Sequence, residues 1–208
     1  MRKIIILGLN SRCPEIDREE LINSEVWTLN DWYRPYPFLK HPSRVYQIHT
    51  DIDNIVKERQ KECPDRWINW DVEYVKSKAE IVTLEKDLRF LNQRVLNPQL
   101  LMKKYGAAFF SQTFSYIAAD AINEKIQSVK MVGFSLMERP EYFDCFPQCI
   151  FVADAMINAG IEVESKILDE WRKKQAELTS NSKEYFIDLN IKQESWLCQE
   201  MYGLKKWQ

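Results

Sequence analysis

Phe109–Leu136 reads FFSQTFSYIAADAINEKIQSVKMVGFSL, and the spacing of its residues decides the fold. From Phe110 the apolar positions Phe114, Ile117, Ala118, Ala121 and Ile122 recur at three- and four-residue steps, which predicts a helix burying one face. Ser111, Thr113 and Ser115 fall in its first turns. Unpaired backbone N–H groups and the positive end of the helix dipole meet there, so hydroxyls at that place suit a phosphate. After Gln127 and Ser128 comes Val129–Phe134, a half-buried strand by pattern, and its carboxyl end carries Gly133 and Ser135. Ligands of open α/β sheets lie outside the carboxyl ends of strands. The unit is therefore expected to form one wall of a nucleotide site.

Working outward, Lys3–Leu7 (KIIIL) is a β-branched run without alternation, as in a central parallel strand covered on both faces. Gly8-Leu9-Asn10-Ser11 follows at once, and Pro14, Glu15 and Asp17 open a short helix through Ile22. Gly8 lets the backbone turn sharply or a ligand approach closely. The turn is not the dinucleotide fingerprint, which needs two further glycines. Glu25–Leu29 reads as the second strand and delivers Asn30 and Asp31 to the same edge; Arg44–His49 reads as the third and Glu80–Leu84 as the fourth. Between them lies a charged helix over Asp51–Glu62, with Asp51 as its N-cap. Trp67, Ile68 and Trp70 mark an aromatic segment of no assigned type, and Lys86–Arg94 reads as a short helix or loop. Further helices are expected from Asn97-Pro98 to Lys104, ended by Gly106, and from Glu141 to Asn158, capped by Gly160; Ile161–Val163 is a last edge strand. The pattern predicts an α/β, Rossmann-like fold: a mostly parallel sheet with helices on both faces over residues 1–164, plus a helical C-terminal extension over 165–208.

The chain has 208 residues, 45 % hydrophobic and 12 % aromatic, enough for one well-formed core. A formal charge of −2 and a pI near 5.8 give no global push toward nucleic acid or anionic membranes, so a DNA acceptor is not favoured by charge. No apolar run approaches the ~20 residues of a membrane span, and Met1-Arg2-Lys3 opens no signal-peptide pattern. Five cysteines at spacings that match no zinc signature suit a reduced, cytoplasmic chain without a metal site. Cys145 and Cys149, four apart, are either small apolar residues or a metal or redox pair. In the extension, Lys166–Leu178 is a charged helix, Thr179–Ser182 a break, and Tyr185–Trp207 an amphipathic segment. The apolar residues of that segment cover the body of the domain or a second subunit, the latter making a homo-oligomer.

The loop Trp32–Phe38 is aromatic and proline-rich. Either it packs onto the body or it stacks on a flat ligand such as a base. Of the two histidines, His41 sits in a loop before a proline, whereas His49 ends a strand on the edge that also carries Asn10 and Asn30. His49 is thus a candidate for proton transfer near neutral pH; a packed or capping histidine is the other reading.

Gly8-Leu9-Asn10-Ser11, Leu29-Asn30-Asp31, the Ser111/Thr113 helix start and Gly133-Phe134-Ser135 follow one another in an order that resembles the bacterial sialyltransferase-like fold. That set includes the CMP-sialic-acid-dependent transferases and related flagellar accessory and phage-encoded proteins. EVWTLNDWY, RVYQIHTD and GFSLMERPEYFDCFPQCIFVADAMINAGIEV also resemble an uncharacterised group of phage-encoded Rossmann-like proteins. The resemblance spans roughly residues 3–164 and implies that Asn10, Asn30, Ser111 and Thr113 hold the nucleotide, with Gly8, Ser11, Asp31, Gly133 and Ser135 beside them. An acid follows the last-strand glycine in the family, and Ser135 stands there in this chain. The implied function is a nucleotide- or nucleotide-sugar-binding protein, a metal-independent glycosyltransferase-like enzyme acting on glycans or DNA bases. The family's catalytic histidine lies in a later lid region with no counterpart in this sequence, so the candidate general base is His49, or failing that Glu138, named from the residues themselves. No cofactor is implied beyond the nucleotide ligand itself. The alternative is a non-catalytic module that captures a nucleotide.

Overall fold

β1 (Lys3–Leu7) pairs in parallel with β2 (Val26–Leu29) on one side and with β6 (Ser128–Val132) on the other. Its Ile4 and Ile6 enter one core cluster, and Ile5 and Leu7 enter a second, which is why the KIIIL run lacks alternation. Beyond β2 stand β3 (Arg44–Gln47), β4 (Glu80–Thr83) and β5 (Gln93–Val95), and beyond β6 stands β7 (Glu162–Glu164). The strands form one seven-stranded, all-parallel sheet in the order β5-β4-β3-β2-β1-β6-β7. The structure, a computed structural model, describes residues 2–10, 12–13, 16–50, 52–62, 70–110, 112–134 and 146–181.

Helices cover both faces, in the Rossmann-like α/β architecture the pattern predicts. One face carries α1 (Arg18–Asn23), α2 (Ile52–Glu62), α3 (Trp70–Ser77) and the aromatic loop, through Leu21, Val56, Tyr74, Trp32 and Tyr36. The other carries α4 (Pro98–Tyr105), α5 (Thr113–Asn123), α6 (Phe146–Asn158) and α7 (Lys166–Asn181). Leu168 and Trp171 of α7 are buried in that second core, where Trp171 meets Phe134 edge-on at 6.2 Å. The chain therefore moves outward from β1 to β5 with helices on one face, then returns to the free side of β1 with helices on the other. The reversal falls between β1 and β6, the topological switch point of such sheets.

Local signals set most boundaries. Asp17 caps α1, its carboxylate accepting from the N–H groups of Glu19 (2.9 Å) and Glu20 (3.1 Å). Asn97 caps α4 through Leu100 N–H at 3.1 Å, Pro98 takes the first turn, and Gly106 ends the helix at φ 85°. α5 departs from expectation in two ways. It begins at Thr113, after a 3-10 turn over Ala107–Phe109, and Phe114 to Ala121 are all buried, not one face alone. The alanines at 118, 119 and 121 let α6 close over the side that would otherwise meet solvent. β5 and α3 are two elements the sequence pattern did not assign, and β3 stops at Gln47, two residues short of His49. α7 runs through Thr179 to Asn181, where the sequence pattern expected a break, and Ser182 lies outside the described residues. Trp67, Ile68, Asp51, Cys145 and the Tyr185–Trp207 segment lie outside the described residues.

A charged network secures the amino end of the sheet. Asp120, 3 % exposed in the last part of α5, accepts from the Tyr46 hydroxyl at 2.7 Å and from Arg94 Nη1 at 3.2 Å, and lies 3.9 Å from Arg44 Nη1. Arg44 also donates to Glu124 at 2.8 Å, forms a close ion pair with Glu80, and lies over the Trp27 ring at 4.0 Å. Arg2 bridges Glu25 and Glu124 at the exposed margin. Burial works against the Arg44 charge, but Tyr46, Glu124 and Glu80 more than offset it, so the guanidinium stays ionised. These groups come from residues 2 to 124, and nothing in their local spacing announced the cluster. Among the described residues, no helix is long and apolar enough to cross a membrane.

Candidate functional site

At the carboxyl end of the sheet the β1–β6 ladder continues into the loops. Gly8 N–H donates to Val132 C=O at 2.9 Å, and Asn10 N–H donates to Gly133 C=O at 2.7 Å. The first loop and the exit of β6 are thereby tied together at the switch point. The start of α5 joins them, because the Phe114 and Phe134 rings meet at 5.5 Å. Gly8, Asn10, Gly133 and Thr113 thus share one neighbourhood, as expected of residues at the ends of these elements.

The two glycines answer first to each other. A Cβ on Gly8 would collide with the backbone carbonyl of Gly133. A Cβ on Gly133 would lie 2.5 Å from the Tyr36 hydroxyl oxygen and 3.1 Å from Gly8 O, and its φ of +74° already disfavours a side chain. Backbone packing accounts for both, without any need for a ligand to pass over them. Asn10 is half-buried, and its side-chain oxygen accepts from Arg12 N–H at 3.1 Å, shaping its own loop.

Asn30 and Asp31, both half-buried, leave β2 on the neighbouring strand. The Asn30 carbonyl accepts from the buried Tyr74 hydroxyl at 2.6 Å, and Thr28 Oγ1 donates to Leu7 C=O at 3.0 Å, so this loop is fixed to β1 and to α3. His49 is exposed beyond β3. Two strand spacings, roughly 10 Å, separate β3 from β1, which puts His49 at the rim of the edge. Thr113 is half-buried at the first position of α5, whereas Ser115 is fully buried and its hydroxyl has no hydrogen-bond partner among the described residues. Ser11, Ser111, Ser135 and Glu138 lie outside the described residues.

The aromatic loop packs onto the body: Trp32 and Tyr36 are buried, and Trp32 Nε1 donates to Leu39 C=O at 3.2 Å. Two edge groups escaped the sequence reading. The Tyr36 hydroxyl and Gln47 Oε1 are both buried without a hydrogen-bond partner. Burial, and behind it the charge of Cys13, pushes the Tyr36 phenol above its ordinary range, so it stays protonated near neutral pH. Asp51-Ile52-Asp53 is an Asp-x-Asp spacing that the expectation of a metal-independent site passed over. Asp53 is ion-paired with Arg89 at 2.7 Å, and Asp51 lies outside the described residues. Among the described residues no group of three or more His, Cys, Asp or Glu side chains is placed to hold a metal.

Comparison with known proteins returns no match: no family model, curated protein or solved structure matches the chain. The chemistry of the site therefore rests on its own residues. Among those described around the switch point, neutral donors and acceptors predominate: the Asn10 and Asn30 amides, the Thr113 and Tyr36 hydroxyls, and the backbone at Gly133. Such a set can hold phosphate and sugar oxygens by hydrogen bonds, and the start of α5 adds a partial positive charge at the same edge.

Proposed function

We propose that this chain binds a nucleotide or nucleotide-sugar outside the carboxyl ends of β1 and β6 and acts as a glycosyltransferase-like enzyme. The observation that carries this reading is the convergence of the Asn10 loop, the Gly133 exit and the start of α5 at the point where the strand order reverses. In this reading Asn10, Asn30 and Thr113 bind the nucleotide through neutral hydrogen bonds, joined by Ser11, Ser111 and Ser135. His49, or Glu138, removes the proton from an acceptor hydroxyl. A second reading, a module that captures a nucleotide without turnover, is favoured by the place of His49, beyond a strand that lies two steps from β1.

A panel of CMP, UMP and their sugar conjugates, with magnesium and with chelator, separates these readings. The enzyme reading expects a rise in melting temperature and consumption of one sugar nucleotide. A rise without consumption leaves the capture module, and no rise with any member rejects both.

A further inference from the structure

Tyr36 lies between β2 and β3, fully buried, with a hydroxyl that no solvent reaches and that has no hydrogen-bond partner among the described residues. A buried hydroxyl without a partner is costly, and phenylalanine would keep the ring packing, including the edge contact with Phe38 at 6.1 Å, without that cost. The position of the oxygen is specific. It stands 2.5 Å from where a Cβ on Gly133 would lie, so glycine at 133 makes room for it. Gly133 is in turn tied to the loop after β1, its carbonyl accepting from Asn10 N–H at 2.7 Å. The first loop, the exit of β6 and the aromatic loop therefore converge on one unused donor beside the switch point.

We propose that Tyr36 is a ligand-binding residue of this site, its hydroxyl donating a hydrogen bond to a phosphate oxygen of the bound nucleotide. The proposal rests on the nucleotide reading above. A protonated phenol brings no negative charge against an anion, and a hydroxyl bonded to an anionic oxygen makes one of the stronger hydrogen bonds available in a protein. The ligand supplies the partner that the fold withholds.

The test compares the full-length chain with its Y36F variant, measuring melting temperature and calorimetric affinity with CMP, UMP and inorganic phosphate. Support is a variant that melts at the same or a higher temperature without ligand, yet binds the nucleotide roughly 10- to 100-fold more weakly. Equal affinity in the two proteins overturns the role of Tyr36 and leaves the nucleotide reading standing. A variant that unfolds or melts well below the parent shows that the hydroxyl has a structural partner such as an ordered water, and overturns the proposal. If the parent binds no nucleotide, both readings fall.

Discussion

At the amino end of the sheet Asp120, Arg44, Arg94, Glu80 and Glu124 each meet an opposite charge, even where Glu80 Oε2 and Arg94 Nε make no hydrogen bond, whereas at the carboxyl end the neutral Tyr36 and Ser115 hydroxyls and Gln47 Oε1 are buried with no hydrogen-bond partner among the described residues. Both ends are built from the same strands and helices. The difference follows from what burial demands of each kind of group. An unpaired buried charge costs more than a domain can tolerate, so the amino end is closed by ion pairs. A neutral polar group can be buried alone at a cost of about 1–3 kcal/mol, and the carboxyl end holds two such hydroxyls, of Tyr36 and Ser115, with Gln47 Oε1 further along the edge on β3. The amino end is committed to stability, and in the proposed reading the Tyr36 hydroxyl at the carboxyl end keeps a hydrogen bond for the ligand to complete.

The sharpest way to break this comparison is Asp120→Ala. It removes a partner that Arg44, Arg94 and the Tyr46 hydroxyl share, leaving the arginines to Glu80 and Glu124, and loss of one partner from a buried ion pair costs about 3–5 kcal/mol. A fall in melting temperature on the order of 10 °C is expected. Denaturant unfolding that shows less than about 1 kcal/mol would mean that solvent screens the network, and the amino end would lose its special status. Acid gives a second handle on the same end. The hydrogen bond from Arg2 holds the Glu25 carboxyl below its ordinary value of 4.5, and Arg44 and Arg2 do the same for Glu124 against the opposing effect of its burial. A carboxylate depressed in the folded state contributes stability that is complete above the unfolded value and disappears as pH falls through the folded one. Stability should therefore decline below pH 4.5, and Arg2→Gln should flatten that decline. An unchanged pH profile in the variant would remove the Arg2 contacts from the account.

Two glycines, Gly133 at the carboxyl end and Gly160 before β7 at the amino end, give a graded pair. Gly133→Ala combines a positive φ with a Cβ 2.5 Å from the Tyr36 oxygen, and should cost about 3 kcal/mol. Gly160→Ala, at φ +86° with nothing within 4 Å, carries the backbone strain alone, about 1 kcal/mol. Equal losses in the two variants would show that Gly133 is needed for its φ only, and that the Tyr36 hydroxyl has room to move aside.

How much of this was legible in the sequence depends on whether the determining partners were local. KIIIL, EVWTL and EIVTL read as strands because a parallel strand buried on both faces must be apolar almost throughout. β5 did not, because Gln93-Arg94-Val95 is a three-residue edge strand held by its ladder to β4, with no apolar pattern of its own. The meeting of Gly8, Asn10 and Gly133 could be expected once strands were ordered, since each follows a strand's end. The Asp120 network could not, because its members are scattered from Arg2 to Glu124 and only the fold pairs them. Tyr36 falls between these cases: the loop composition allowed packing or stacking on a ligand, and the place of its hydroxyl against Gly133 depends on a contact across almost a hundred residues.

Ser115 gives the smallest effect and a fine division within the expected phosphate-binding helix start. Three hydroxyls were expected at that end, but the late start of α5 places Thr113 at the first helical position and turns Ser115 into the core. Ser115→Ala removes a buried hydroxyl with no partner and puts the best helix former in its place, so stability should rise by up to about 1 kcal/mol, or about 2–4 °C. Nucleotide affinity should stay the same, because Ser115 is not among the groups proposed to bind the nucleotide. Thr113→Val, by contrast, keeps the shape of a half-buried residue and removes its hydroxyl, and should weaken CMP or UMP binding several-fold. A melting temperature that falls in Ser115→Ala would show that its hydroxyl is satisfied after all and would remove it from the set of unused groups. An affinity lost in Ser115→Ala but kept in Thr113→Val would invert the division, and with it the face of α5 that meets the ligand.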